Sequence, residues 1–191
     1  MAERRKGMTY FKIPNACVEQ QLFNYLRDSY RRAKLPDWIG WSMLASGMAY
    51  DGEWEPFLRR LAEDFANTTP IRGGISGEIR LQGYMQAEFG HIRYYLAKPE
   101  MELSRGYCDF CLFPERVYYG DAKHSYIVEL KYSKADASDA DLAAKAEDGI
   151  AKLRQYAADP FVPELAKDTT LHLILYQFKG TELVRLEEVS R

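Results

Sequence analysis

The sequence predicts an α/β (α+β) domain with a mixed central sheet, flanked by helices and preceded by a helical subdomain. The chain has 191 residues, of which 47% are hydrophobic, enough for one sizeable core. Several segments carry apolar residues at helical spacing, and shorter apolar runs bounded by loops indicate strands. From residue 76 the segments follow the order α-β-β-β-α-β-β, which implies a mixed sheet with helices on its faces.

The chain before residue 71 is predicted to hold two regions. Residues 1–8 are short and polar and are interpreted as a disordered or vector-derived start. Residues 9–70 are predicted to form a helical subdomain packed on the core, since each of its helices has an apolar stripe that requires burial. The predicted helices cover residues 16–33, 37–48 and 52–66.

Residues 71–191 are predicted to form the core. Its first helix has Ser76 at the N-cap position. The strand segment that follows is interrupted near Pro99, because proline cannot donate to a strand ladder. The predicted helices cover residues 76–89 and 139–158, and the predicted strands cover residues 92–104, 106–113, 125–132, 170–178 and 182–188.

Composition excludes several classes of protein. Lys+Arg 26 against Asp+Glu 28 gives a net charge of −2, which counts against tight non-specific nucleic-acid binding but permits a locally basic cleft. No apolar run is long enough for a membrane span and no signal peptide is visible, so a cytoplasmic location is predicted. No G-x-x-x-x-G-K-[ST] segment occurs, so the chain itself is not a P-loop ATPase.

The three cysteines, Cys17, Cys108 and Cys111, are an odd number and do not indicate a disulfide framework. Cys108 and Cys111 have Cys-x-x-Cys spacing, but on a strand the two thiols are expected on opposite faces unless the strand bulges. No second Cys pair or His cluster completes a set of four zinc ligands. Buried, reduced thiols of a cytosolic protein are therefore the preferred interpretation.

An acidic and a basic residue near the end of one apolar strand are the main functional signal. Glu129 and Lys131 are two residues apart on the strand predicted over 125–132, so they point to the same face. Asp109 lies on the neighbouring strand. Two carboxylates close to each other and to an ammonium group suit a Mg²⁺ ion and a water molecule that must be activated.

Ordinary structural roles compete with this interpretation. Asp109 fits a strand end or turn, although a charge inside the apolar run 107–113 requires a partner or a metal. Glu129 and Lys131 also fit an ion pair on the exposed face of a metal-free α/β binding domain. The order of the three residues along the chain favours the site.

This order resembles the PD-(D/E)XK nuclease superfamily, whose signature is an acid on one strand and an acid-x-Lys on the next, after a helix with a further acid. Asp109, Glu129 and Lys131 match the signature, and a Gly-x-x-Asp segment that begins at Gly106 replaces the usual Pro before the first acid. The Gly-x-x-Asp version is typical of a branch found C-terminal to AAA-ATPase-like regions in bacterial proteins.

The resemblance to this branch covers residues 10–189. It is carried by Ile13-Pro14-Asn15 at the junction after the ATPase region, residues 49–65 in a helical insert, residues 78–82 at the start of the acid-bearing helix and Tyr156-Ala157 in the late helix. It implies that an ATPase region lies upstream in the natural protein.

The resemblance implies a restriction-endonuclease-like core and a Mg²⁺-dependent (or Mn²⁺-dependent) nuclease that hydrolyses phosphodiester bonds, with DNA as the favoured partner. It implies catalytic roles for Asp109, Glu129, Lys131 and Glu78, and the three acids would hold the metal. Glu78 also fits an ordinary acid in the first turn of a helix, and Glu88 near the other end of that helix competes with it.

Accessory roles are implied for Gln155, Tyr156 and Gln82. Many members of the superfamily carry a Gln on the late helix that helps to orient the site, and this branch places it where the present chain has Gly149. Further side chains that could contact the phosphate backbone are Arg80, Arg105 and Lys134.

The rival function is a catalytically silent, nuclease-like module for protein interaction. Trp38, Trp41 and Trp54 would then form a docking surface, whereas a plain helical core would bury them. Metal binding with nuclease activity indicates the nuclease, metal binding without activity indicates the module, and no metal binding indicates the metal-free domain.

Overall fold

The computed structural model describes residues 2–5, 8–11, 38–68, 77–90, 92, 94–103 and 106–190. The chain divides into two compact units, Met1–Gly40 and Trp41–Arg191. In the first unit, strands β1 (Ala2–Arg5) and β2 (Met8–Phe11) pair in antiparallel fashion. A hairpin therefore stands where the sequence predicts a disordered start, since strand pairing satisfies backbone groups whatever the polarity of the side chains. The helix predicted over 16–33 lies outside the described residues.

In the described residues after position 37, two helices precede the core: α1 (Trp38–Tyr50) and α2 (Trp54–Thr68). Helix α2 is amphipathic, with ion pairs between residues one turn apart on its outer face. Its buried face consists of Phe57, Leu58, Leu61 and Phe65. Residues 41–68 share a compact unit and an apolar core with the sheet, so the division of the chain falls at residue 40 rather than at residue 70.

The core contains four further helices and a five-stranded sheet. The elements are α3 (Gly77–Gly90), β3 (Tyr95–Leu103), β4 (Gly106–Pro114), α4 (Arg116–Tyr119), β5 (His124–Ser133), α5 (Asp139–Ala157), α6 (Val162–Leu165), β6 (Thr170–Lys179) and β7 (Glu182–Glu188). This order confirms the predicted fold class, with the short helices α4 and α6 added. Strand β3 passes Pro99 without the predicted interruption, because β3 is an edge strand of this sheet.

The strands lie in the order β3-β4-β5-β6-β7. All neighbours are antiparallel except β5 and β6, which are parallel and are joined through α5. Helix α5 begins at the N-cap Ser138, whose side chain forms a capping box with Asp141. The crossover therefore places α5 against β5 and β6.

The sheet separates two apolar cores. One core contains residues of α1, α2 and α3 packed on Tyr126, Val128 and their neighbours. The other contains residues of α5 and α6 packed on Ile127 and its neighbours. The alternation along β5 thus places Glu129 and Lys131 on the face that α5 covers. None of the helices in the described residues is long and apolar enough to span a bilayer.

Strands β4 and β5 pair only from Phe110 opposite Val128 to Leu112 opposite Tyr126. One consequence concerns the cysteines: the expectation of opposite faces is wrong, whereas the prediction of buried, reduced thiols is confirmed. The Sγ atoms of Cys108 and Cys111 lie 2.9 Å apart, and both thiols are buried in the core beside α5. The ladder of β4 with β3 lacks a pair at Asp109, between the two cysteines, and β4 leaves β5 beyond Phe110, so strict alternation along β4 ends at this point.

Candidate active site at the fork between β4 and β5

The separation of the two strands leaves Asp109 and Glu129 just beyond the last ladder pair. The carboxylate of Asp109 replaces the backbone hydrogen bonds that are missing between the strands at this point, since its Oδ2 accepts a hydrogen bond of 2.8 Å from the backbone N–H of Leu130. This bond fixes the acid in the fork. A charged side chain is thus held between two strands that otherwise bury apolar residues.

The electrostatic environment of Asp109 is unfavourable for its charge. Burial, followed by repulsion from Glu129, raises the pKa of Asp109 to about 6, although the N–H of Leu130 and the ammonium of Lys131 act in the opposite direction. The two acids therefore repel each other across the fork. A cation placed between them would remove this repulsion.

Glu129 is almost completely buried, with 2% of its side chain exposed. Its Oε1 lies 2.9 Å from Nζ of Lys131 and 3.4 Å from Nζ of Lys152. Its Oε2 is also buried, and no hydrogen bond from the described residues reaches it. Half of this carboxylate is thus paired with lysines, and half is an acceptor without a donor.

Lys131 is held between two acids. Its Nζ lies 2.7 Å from Oδ2 of Asp148 on α5, as well as 2.9 Å from Glu129. Burial alone would lower the pKa of Lys131, but the hydrogen bonds to Asp148 and Glu129 outweigh it and raise the pKa above its usual value. The hydrogen bond to Lys131 in turn lowers the pKa of Asp148. Lys131 is therefore a fixed, protonated cation.

Comparison with known families matches residues 77–188 to the PD-(D/E)XK nuclease superfamily, which is more than half of the chain. The chain belongs to the PD-(D/E)XK nuclease superfamily. The superfamily consists largely of phosphodiesterase nucleases that typically use divalent metal ions, so a nuclease-like function is supported. No curated protein and no solved structure shows significant similarity to the chain.

Gly149 stands where the resemblance predicts a Gln on the late helix, and α5 packs closely on the sheet at this position. A Cβ at Gly149 would lie 2.6 Å from Cδ1 of Leu175 and 3.0 Å from Cε of Lys131. Helix α5 therefore approaches β5 so closely that a side chain at this position would displace the stem of Lys131. The neighbouring residues Asp148 and Lys152 bring the helix's polar groups to the site instead.

Asp148 and Lys152 were not predicted as site residues from the sequence. These two residues lie one turn apart on α5, on either side of Gly149, and Nζ of Lys152 lies 3.7 Å from Oδ2 of Asp148. The signal that indicates them is their spacing around a helical glycine, because a glycine in a helix interior marks a close approach to another element. A charged pair at helical spacing is so common on protein surfaces that this signal is weak.

The other two residues predicted for the late helix, Tyr156 and Gln155, differ in burial. Tyr156 is 3% exposed, and its hydroxyl donates a hydrogen bond of 2.6 Å to the carbonyl oxygen of Tyr107. Burial, followed by the charges of Glu129 and its neighbours, raises the pKa of Tyr156. Tyr156 thus ties α5 to β4 close to Asp109. Gln155 is partly buried on the same helix.

The structure does not bring Glu78 into contact with the fork. Glu78 is exposed in the first turn of α3, and no hydrogen bond or ion pair within the described residues joins it to Asp109, Glu129 or Lys131. Gln82 is partly buried further along this helix. Helix α3 packs through Leu81, Met85 and Phe89 in the core on the other face of the sheet from α5.

Of the tryptophans considered as a docking surface, Trp41 and Trp54 are partly buried, and the side chain of Trp38 lies outside the described part of the chain. The ring of Trp41 packs edge-on against Phe57 with centroids 5.2 Å apart, and Trp54 packs against the same core. Both support the interpretation as a helical core. Among the basic residues predicted to contact phosphate, Lys134 is exposed, Arg80 is partly buried, and Arg105 lies outside the described residues.

The fork fits a hard divalent cation. The described residues contain no group of three or more His, Cys, Asp or Glu that could enclose a metal. Mg²⁺, however, is usually bound through one or two carboxylates while it keeps several waters and shares the substrate phosphate. Asp109 and Glu129 supply that number of carboxylates, and the unpaired Oε2 of Glu129 is an oxygen donor of the kind Mg²⁺ prefers.

Proposed function

We propose that this chain is a metal-dependent nuclease domain that hydrolyses phosphodiester bonds of nucleic acid, with DNA as the favoured substrate. The observation that carries the proposal is the buried carboxylate of Glu129. Its Oε2 has no hydrogen-bond donor among the described residues, and the carboxylate lies beside a second, repelling acid. Buried carboxylates require compensation, so this pair favours a cation in the fork.

Each residue of the fork has a distinct proposed role. Asp109 and Glu129 would hold Mg²⁺ or Mn²⁺, and Glu78 would act through a water molecule at most. When bound, the ion supplies Lewis acidity toward a phosphoryl oxygen and toward a water. Asp109 is held by the N–H of Leu130, so its carboxylate is oriented before any ligand arrives.

Lys131 would act as a cation rather than as a base. In the metal-free protein the hydrogen bonds to Asp148 and Glu129 raise the pKa of Lys131, which favours the protonated form. An ammonium group that is fixed by Asp148 and Glu129 instead orients the water or stabilises negative charge that develops on the phosphate. Asp148 is therefore proposed as the residue that positions Lys131.

A linkage to an upstream ATPase region is a further part of the proposal. It rests on the resemblance of Ile13-Pro14-Asn15 and of the Gly-x-x-Asp segment to the branch found C-terminal to AAA-ATPase-like regions. In this arrangement helices α1 and α2 follow the ATPase region along the chain and precede the nuclease core of residues 71–191, whose apolar core they share.

Cleavage assays test the proposal. Single- and double-stranded DNA and RNA are incubated with the chain in Mg²⁺, in Mn²⁺ and in a chelator. We expect metal-dependent cleavage by the wild type, loss of cleavage in Lys131→Ala, and retention in the control Lys123→Ala, which removes an exposed lysine before the start of β5. Metal binding without cleavage of any substrate would contradict the nuclease and favour the silent interaction module.

A further inference from the structure

Helix α5 presents a second lysine to the fork, and the following inference rests on the proposed nuclease function. Lys152 Nζ lies 3.4 Å from Oε1 of Glu129 and 3.7 Å from Oδ2 of Asp148. Lys131 contacts the same two acids at 2.9 and 2.7 Å. Two acids and two lysines thus alternate in one cluster, formed by Glu129, Lys131, Asp148 and Lys152.

The two lysines of this cluster differ in how tightly they are held. The side chain of Lys131 is 11% exposed and makes two short ion pairs, whereas that of Lys152 is 44% exposed and makes two longer ones. If Lys131 moved away, the buried carboxylate of Glu129 would lose its closest ion-pair partner, which is energetically costly. Lys152 can do so, because its head already faces solvent at the end of a flexible four-carbon stem.

We propose that Lys152 is a substrate-binding residue that contacts a backbone phosphate of the nucleic acid next to the bond that is cleaved. A chain with a net charge of −2 must attract a polyanion through local cations, and Lys152 is a partly exposed cation at the proposed metal-binding acids. A divalent cation held by Glu129 would weaken the attraction of this carboxylate for Lys152, and the ammonium could then pair with phosphate.

An ordinary helix-surface ion pair is the competing explanation, since Asp148 and Lys152 are four residues apart on α5. The two explanations differ in what the lysine does for nucleic acid. A surface pair leaves the affinity for nucleic acid and its salt dependence unchanged. A phosphate contact contributes to both, because each neutralised phosphate releases counterions.

The test measures binding separately from cleavage. Fluorescence anisotropy gives the Kd for labelled DNA in Ca²⁺, at several salt concentrations, with a gel to verify that the DNA stays intact; kcat and KM are then measured in Mg²⁺. For Lys152→Ala we expect Kd and KM to rise about 5-fold, with the slope of log affinity against log salt reduced by about 0.7–0.9. We expect kcat to change little.

Two further variants complete the design. Lys152→Arg keeps the charge and is expected to restore the wild-type slope. Lys123→Ala removes an exposed lysine roughly 20 Å along β5 from Glu129 and is expected to leave Kd and slope unchanged.

Each outcome decides the proposal. An unchanged Kd and slope in Lys152→Ala would overturn it, and so would a fall in kcat alone, which would indicate that Lys152 only positions its neighbours. If the wild type binds DNA without cleaving it, the nuclease function fails while Kd and slope still decide the role of Lys152. If the wild type binds no nucleic acid, both proposals fail.

Discussion

The two faces of strand β5 are buried to a similar depth but are stabilised in different ways. On one face Tyr126 and Val128 are fully buried among the aromatic side chains of the α1–α3 core. On the other face Glu129 is 2% exposed and depends on lysines. The apolar face gains stability from buried area, while the charged face places acids and cations in fixed positions. Charges at this depth are tolerated because Lys131 and α5 supply the opposite charges.

The largest effect on stability is expected on the apolar face of the sheet, where Phe178 of β6 lies in the same core as Tyr126 and Val128. Phe178 is fully buried, and its ring packs against Phe65 at 5.9 Å and against Tyr176 at 4.7 Å. Phe178→Ala should lower the free energy of unfolding by about 3–5 kcal/mol. Denaturant melts measure this loss. The stabilisation that Mn²⁺ gives should persist in the variant; its disappearance would show that the two faces are not independent.

The next effect comes from breaking the buried ion pair. Lys131→Met leaves Glu129 buried with only Lys152 nearby, so we expect a loss of about 3 kcal/mol, the low end for a broken buried pair. Adding Glu129→Gln removes the unpaired charge and should return stability to within about 1 kcal/mol of wild type, without cleavage activity. A double variant that stays as unstable as Lys131→Met would contradict this account of the charged face.

Asp109→Asn should stabilise the metal-free protein at neutral pH. The pKa of Asp109 is raised to about 6 in the folded state, above its usual value of about 4. The folded state therefore binds the proton more tightly, and stability falls as pH rises from about 4 to 6. The side-chain oxygen of the Asn variant can still accept the hydrogen bond from the N–H of Leu130. We expect the free energy of unfolding of this variant to exceed that of the wild type by up to about 2 kcal/mol at pH 7. Solvent screening limits the gain, because Asp109 is partly exposed.

Melts of wild type and Asp109→Asn across this pH range check the expectation. Their difference should vanish near pH 4 and grow toward pH 7. Metal binding by the wild type should also strengthen from pH 4 to pH 7, because protonation of Asp109 below about pH 6 competes with the ion. A stability difference that grows toward acid pH would refute the raised pKa.

The smallest effect concerns two helical glycines. Gly149→Ala gains about 1 kcal/mol of helix propensity but inserts a Cβ 2.6 Å from Leu175, so we expect a net loss of about 1 kcal/mol and slower cleavage through displacement of Lys131. Gly83 on α3 is the matched control, because no atom lies within 4 Å of the Cβ position. Gly83→Ala should gain up to about 1 kcal/mol. Equal effects at both sites would contradict the close approach of α5.

The fold was predictable because its signals are local. Apolar alternation and helical spacing identified the strands and helices of the core in the right order, and the order implied the mixed sheet. The family was predictable for the same reason, since Asp109, Glu129 and Lys131 follow one another at characteristic places in that order. Period-two alternation also placed Glu129 and Lys131 on one face of β5.

The features that the sequence did not reveal depend on tertiary geometry. The thiols of Cys108 and Cys111 meet because β4 leaves β5 beyond Phe110, which no alternation rule anticipates. Asp148 and Lys152 reach the fork only because Gly149 lets α5 approach the sheet. Glu78 fits the motif order along the chain, yet α3 packs on the opposite face of the sheet. The catalytic roles of the fork residues stay predictions.

Counting bound Mn²⁺ by electron paramagnetic resonance tests the central claim, that Asp109 and Glu129 form a cation site. At pH 7 we expect about one bound ion per chain in the wild type and in the control Lys123→Ala, with affinity reduced at least about 10-fold in Asp109→Asn and in Glu129→Gln. Melts confirm that both variants are folded. Wild-type affinity in both variants, or no binding by a folded wild type, would contradict the claim.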